Sequence, residues 1–157
     1  MAAKSLQFFS DTPDTTARLA ARLGATLRPG DAVLLEGEVG AGKTHFARAL
    51  IQSLLPEPED VPSPTFTLVQ TYATELAEIW HADLYRLTST QEIEELGLTE
   101  AFEADICLVE WPDRLGPLIP ADALTLSFAA ADHDDARRIT ARWTDRKWDA
   151  KLESLGA

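Results

Sequence analysis

The chain has one cysteine, one methionine and no asparagine, and it has no apolar run near the roughly 20 residues that a membrane helix requires. A lone Cys107 cannot form an internal disulfide, which excludes the disulfide-stapled secreted scaffolds. The opening residues, Met1-Ala2-Ala3-Lys4-Ser5, lead into no apolar stretch long enough for a signal peptide, so a cytosolic (cytoplasmic) protein with no membrane partner is expected. The three histidines and single cysteine fall at no metal-ligand spacing, which argues against zinc. Basic residues are also scarce: 14 Lys and Arg stand against 26 Asp and Glu, for a net charge of −12. Autonomous binding to nucleic acid needs cations to neutralise phosphates, and this balance opposes it. The acidity fits docking on a basic partner or, equally, plain solubility.

With 157 residues, 45% of them hydrophobic, the chain suits one domain over 1–157 that buries roughly 70% of its unfolded surface. Residues 14–23 have helical spacing at Leu19, Ala20 and Leu23, with Pro13 opening the helix. Arg28-Pro29-Gly30-Asp31 is a turn, and 32–36 is a short buried strand. A glycine-rich loop follows over 37–42, then a helix over 43–55 with Phe46, Ala49, Leu50 and Leu54 on one face. The proline-dense stretch 56–64 cannot be helix or central strand, because proline lacks a donor and restricts its predecessor. Strands are expected over 65–72, 79–85 and 104–111, and a short acidic helix over 91–96 capped by Ser89 or Thr90. Two alternating stretches, 123–128 and 138–143, form an antiparallel pair at the end of the sheet, and 148–155 forms a last helix. The expected class is α/β: a mixed sheet with a parallel core and C-terminal antiparallel strands.

Gly37-Glu38-Val39-Gly40-Ala41-Gly42-Lys43-Thr44 satisfies the pattern G-x-x-x-x-G-K-[ST]. Glycines let the backbone curl until successive N–H groups face phosphate oxygens. The positive end of the following helix points at the same place. In such a loop Lys43 reaches the β- and γ-phosphates and the Thr44 hydroxyl reaches Mg²⁺. The motif sits between an apolar strand and an amphipathic helix, the setting in which it works, so binding of ATP with Mg²⁺ is expected. A metal-bound nucleotide also needs a carboxylate at the end of a neighbouring strand. Ile106-Cys107-Leu108-Val109-Glu110 offers one, although a surface Glu after a strand would read the same way.

Four motifs occur in order: the glycine-rich loop, Ser63-Pro64-Thr65-Phe66, His81-Ala82-Asp83-Leu84-Tyr85-Arg86, and Leu108-Val109-Glu110-Trp111-Pro112. In these motifs and in length the sequence resembles the bacterial TsaE family over nearly its whole extent. The resemblance implies a three-layer P-loop NTPase fold. It implies the ATPase component of the threonylcarbamoyladenosine modification of tRNA, acting with the proteins TsaB and TsaD and reaching tRNA only through that complex. By position it implies that Thr44 and Glu110 hold Mg²⁺, that Thr65 senses the γ-phosphate, and that Asp83 faces the site to orient the attacking water. Trp111 would lie close to the nucleotide, with Thr12 and Arg138 as looser contacts. Against the family pattern, Glu38-Val39 replaces the commoner Asp-Leu, and His45 stands where a second Thr is frequent.

Plainer readings stand beside these. Thr65 can simply start a strand, and Asp83 can be an N-cap or turn residue. His81 reads as a packed strand residue, Cys107 as an inert core thiol, and Glu92, Glu94 and Glu95 as a solvated helix face. Arg86 is the candidate for an arginine that assists hydrolysis from within the chain. A small-molecule kinase would use the same loop but needs an arginine-rich lid, which the sequence does not display. A GTPase commonly reads guanine with Asn-Lys-x-Asp, and the absence of Asn counts against it. A non-catalytic adaptor that keeps ATP as a structural ligand is the third alternative.

Overall fold

A computed structural model describes residues 3–38, 40–57, 59–64, 67–131 and 133–156. Strand β1 (Lys4–Ser10) leads into α1 (Pro13–Gly24), β2 (Ala32–Glu36), α2 (Lys43–Leu54), β3 (Val69–Ala73) and β4 (Glu78–Asp83). Then come α3 (Thr90–Glu95), α4 (Leu98–Ala104), β5 (Ile106–Glu110), a 3-10 stretch (Pro112–Leu118), β6 (Leu124–Ala130), β7 (Arg137–Trp143) and α5 (Lys147–Gly156). The strands form one sheet in the order β1-β7-β6-β2-β5-β4-β3. Strands β6, β2, β5 and β4 run parallel, while β3 joins β4, β7 joins β6 and β1 joins β7, each in antiparallel sense.

The alternation along β2 places helices on both faces. Val33 and Leu35 enter a core shared with Leu23 of α1, Leu50 of α2 and Trp148 of α5. Ala32 and Leu34 enter a second core with Ile93 of α3 and Leu98 of α4. Every residue of β5 is buried, as a strand covered on both sides requires. The result is three layers around a mixed sheet.

Most expected elements are present, with shifted ends. The sequence reading assigned no element to the first residues, which form the edge strand β1, nor to α4 and the 3-10 stretch. The strand expected from residue 65 begins at Val69; Thr65 and Phe66 lie outside the described residues, and Leu68 has a left-handed φ of 70° that extended structure does not tolerate. The strand expected to reach residue 85 stops at Asp83, whose carboxylate accepts the Tyr85 amide at 3.0 Å and turns the chain. Ser89 is the cap of α3, its hydroxyl accepting the Glu92 amide.

At the other end of the sheet, Asp31 opens β2 and is 3% exposed. Lys147 lies 3.0 Å from its Oδ1, Lys151 donates to its Oδ2, and the Arg28 amide adds a bond of 2.9 Å. Burial alone would raise the Asp31 pKa, but the bonds from Lys151, the Arg28 amide and Lys147 outweigh it and hold the carboxyl below its ordinary value. A depressed folded pKa stabilises the fold fully above the ordinary aspartate range, and that stability disappears as pH falls through the folded value. Asp31→Asn should therefore lower stability at neutral pH by on the order of 2 kcal/mol, less than the 3–5 of a fully buried pair because both ammonium groups are partly exposed. The loss should shrink toward zero in acid. Denaturant titrations of both proteins across pH 2–7 measure it, and a pH-independent difference would contradict the ion-pair account.

Candidate functional site

Parallel strands present their carboxyl ends together, and in open α/β sheets that edge is where ligands bind. The register sets Leu35 of β2 opposite Glu110 of β5, and Glu110 opposite Asp83 of β4. The loop between β2 and α2 closes over this edge and bounds a cleft of about 590 Å³. Gly37 has a φ of 144°, and a Cβ there would lie 2.6 Å from the Phe128 carbonyl oxygen of β6. Gly42, the N-cap of α2, has a φ of 106° and brings no side chain to cap the helix. The first-turn amides of α2 thus lack a side-chain cap and face the cleft, with the positive end of the helix behind them.

Two residues of the first turn bring polar groups to the cleft. Lys43 is 4% exposed; its ammonium donates to the Gly37 carbonyl and sits 3.5 Å from the centroid of the Trp111 ring. Burial pulls its pKa below the ordinary lysine value, while the negative charges of Glu110, Asp83 and Asp113 push it back upward. The Thr44 hydroxyl donates to Glu110 Oε1 at 2.8 Å. Glu110 is 2% exposed, so the carboxylate closing β5 is buried in the cleft wall rather than lying on the surface. Its second oxygen, Oε2, lies 2.7 Å from His81 Nε2 of β4.

The remaining residues assemble less uniformly. Asp83 is 6% exposed and lines the cleft beside Glu110 while also accepting the Tyr85 amide, so the local turn role and the site position coexist. Trp111 follows β5 with a left-handed φ of 61°, and its ring lies between Lys43 and Tyr85, the two aromatic centroids being 4.7 Å apart. Gly40 lines the cleft, whereas Glu38 is exposed and accepts the Ala41 amide in a turn. Val39 and Thr65 lie outside the described residues. Thr12 caps α1, accepting the Thr15 amide at 3.1 Å, and its neighbours Pro13 and Thr16 line the cleft instead.

Arg138 does not line the cleft, whereas its neighbour Arg137 does. In β7 the residues Ile139, Ala141 and Trp143 face the core with α1 and α2, so Arg137 shares their face and Arg138 points away. Arg138 lies over the Phe9 ring at 5.3 Å. Arg137 lines the cleft and ties down the loop, its Nε donating to the Ala41 carbonyl at 2.9 Å and its Nη2 to that of Gly40 at 3.4 Å. The inward alternation of the strand was the signal that would have selected it. His81 shows the same rule: it shares a strand face with Asp83, two residues on, and therefore meets Glu110. His45 places Nε2 2.9 Å from the Pro13 carbonyl and links α2 to α1.

The donor set can be tested against the metal that a nucleotide site implies. Thr44 and Glu110 offer a hydroxyl and a carboxylate within hydrogen-bond distance of each other, both oxygen ligands of the kind Mg²⁺ takes alongside phosphate and water. No cluster of three or more His, Cys, Asp or Glu suited to a metal occurs among the described residues, so a cage made only of protein ligands is not what this site resembles. The residues fit a cation brought in with a phosphate.

Comparisons with known proteins agree with one another. Residues 10–139 match the family model described as threonylcarbamoyl adenosine biosynthesis protein TsaE. The tRNA threonylcarbamoyladenosine biosynthesis protein TsaE of Rickettsia bellii is 40% identical over 128 residues, which cover 82% of this chain and 89% of that protein. The protein of the same name from Bacillus subtilis is 34% identical over 153 residues, covering 97% and 94%. The crystal structure of Bacillus subtilis YdiB matches with a TM-score of 0.82 and 28% sequence identity, covering 99% of this chain and 97% of that one.

The contact at Gly37 yields a prediction independent of any ligand. In Gly37→Ala a Cβ would push against the backbone of β6 while holding a positive φ, costing about 1–3 kcal/mol. Thermal unfolding of the purified variant should show that loss. An unchanged melting temperature would mean that the loop is not seated on β6 as described.

Proposed function

Because the chain belongs to the TsaE family of threonylcarbamoyl adenosine biosynthesis proteins, we propose that it is the ATP-binding and ATP-hydrolysing component of that tRNA modification, built on a P-loop NTPase fold. The observation that carries this reading is the meeting of buried Lys43 and half-buried Thr44, at the amino end of α2, with buried Glu110 at the end of β5, beside a glycine loop whose following helix has no side-chain cap. Burial lowers the pKa of the Lys43 ammonium despite the nearby charges of Glu110, Asp83 and Asp113, and a triphosphate would add direct negative partners.

The chain's own groups divide the work of phosphoryl transfer, which needs positioning and charge compensation more than covalent chemistry. Loop and first-turn amides of α2 cradle the phosphates. Lys43 offsets charge on the β- and γ-oxygens, moving from the Gly37 carbonyl to the nucleotide. Thr44 and Glu110 would hold a Mg²⁺, which would supply positive charge to the phosphates. By the resemblance Asp83, in the cleft wall, would orient the attacking water and Thr65 would sense the γ-phosphate, while Trp111 walls the cleft. Arg137 fixes the loop through its carbonyls. The resemblance adds TsaB and TsaD as partners that stimulate slow hydrolysis, with tRNA reached through them.

Calorimetry with ATP, ADP and GTP, with magnesium and with chelator, tests the binding. Magnesium-dependent adenine-nucleotide affinity is expected, and Lys43→Ala should weaken it about 10–100-fold, since a bond to a charged group contributes about 1.5–3 kcal/mol. No measurable affinity in the unaltered protein would overturn the proposal. Single-turnover hydrolysis with and without TsaB and TsaD tests the stimulation, and equal rates would remove it.

A further inference from the structure

His81 is fully buried in β4, at 0% exposure, in a stretch whose ladder neighbours on β5 are apolar. An imidazole there costs more than an aliphatic side chain of similar size unless its polar atoms are used. One of them is used: Nε2 lies 2.7 Å from Glu110 Oε2, and Nδ1 has no partner among the described residues. The single polar contact of a buried ring is thus made with the carboxylate whose other oxygen accepts the Thr44 hydroxyl at 2.8 Å. Glu110 is gripped at both oxygens by groups on two different elements, β4 and α2. With only Thr44, the carboxylate could rotate about its terminal torsion, a broad two-fold well. With His81 as well, the plane of the carboxylate is fixed.

We propose that His81 is a positioning residue for the metal centre: its ring N–H, donated to Glu110 Oε2, sets the orientation in which Oε1 meets Thr44 and the nucleotide's cation. The inference rests on the nucleotide reading above. It extends to this carboxylate the general rule that hydrogen-bonded neighbours orient metal ligands, and it assigns the donor to a residue that touches neither nucleotide nor metal.

The test uses two variants. His81→Phe keeps a buried ring and removes the donor; His81→Gln keeps an N–H at about the reach of Nε2. ADP affinity is measured by calorimetry with magnesium and with chelator, and the ratio of the two is the readout. Manganese, titrated with ADP and followed by electron paramagnetic resonance, gives the metal affinity directly. The Phe variant should lose about 10–100-fold in metal-dependent affinity. Its affinity in chelator should be unchanged, because the loop amides and Lys43 hold the phosphates without the metal. The Gln variant should recover most of the loss. A Phe variant with the unaltered ratio overturns the inference, as does a Gln variant as weak as Phe or an equal loss in chelator, which would mark a packing role. Should the Phe variant not fold, His81→Met supplies another donor-free side chain read by the same ratio. If the unaltered protein shows no magnesium dependence at all, the nucleotide reading itself fails, and that outcome is distinct because it appears before any substitution.

Discussion

A carboxylate buried at the end of a central strand must be satisfied, and how Glu110 is satisfied governs the functional edge of this molecule. Moving such a charge out of water costs several kcal/mol, recovered only by close, well-directed partners. Glu110 takes one from α2, Thr44, and one from β4, His81. Because β4 and β5 are parallel neighbours in register, Asp83 is then carried to the level of Glu110 with no further interaction needed. The hydrogen bond to Thr44 fixes where α2 begins, and so where the loop from β2 must close. One polar triad thereby coordinates two strands, a helix and a loop.

The cation beside it obeys the opposite logic. Lys43 is driven into the cleft wall by the geometry of the first helical turn and rests on a carbonyl and an aromatic face, both weaker partners than a carboxylate or phosphate. Its pKa falls because burial outweighs the pull of nearby acids. Trp111 supports it at the cost of a left-handed backbone, a conformation in which a bulky residue is uncommon and which clusters at functional sites. The ring's second contact, with Tyr85, draws in the turn after β4, so both strand ends that frame the site are capped by aromatic packing.

Much of this was legible in the sequence, and what was missed follows a physical pattern. The glycine loop, the helix from Lys43 and the buried strand ending at Glu110 each combine a local rule with a hydrophobic period, and local rules survive without tertiary information. Strand β1 did not announce itself, because an edge strand with mostly exposed residues has little hydrophobic contrast to read. The short α4 and the 3-10 stretch are held by packing on the second core rather than by helical periodicity. Within the site, identities were legible and directions were not. Arg137 and Arg138 are chemically equal, and only the two-residue period of β7, anchored by Ile139 and Ala141, decides which reaches the loop. His81 looked like packing because burial is all that an apolar-flanked histidine displays in one dimension; its partner is 29 residues away in sequence, across a strand pair.

The same directional facts bear on how much catalysis the proposed site can perform unaided. Phosphoryl transfer is fast when an arginine joins the lysine and the metal around the transferring group, a contribution worth several orders of magnitude in rate. Arg137 reaches the cleft, but its guanidinium is engaged with the carbonyls of Ala41 and Gly40 and with those of Asp134 and Ala136. Releasing it would untie the loop from β7. Its geometry therefore suits holding the loop, not compensating the charge that develops during transfer. Arg137, which lines the cleft, is therefore a fastener of the loop.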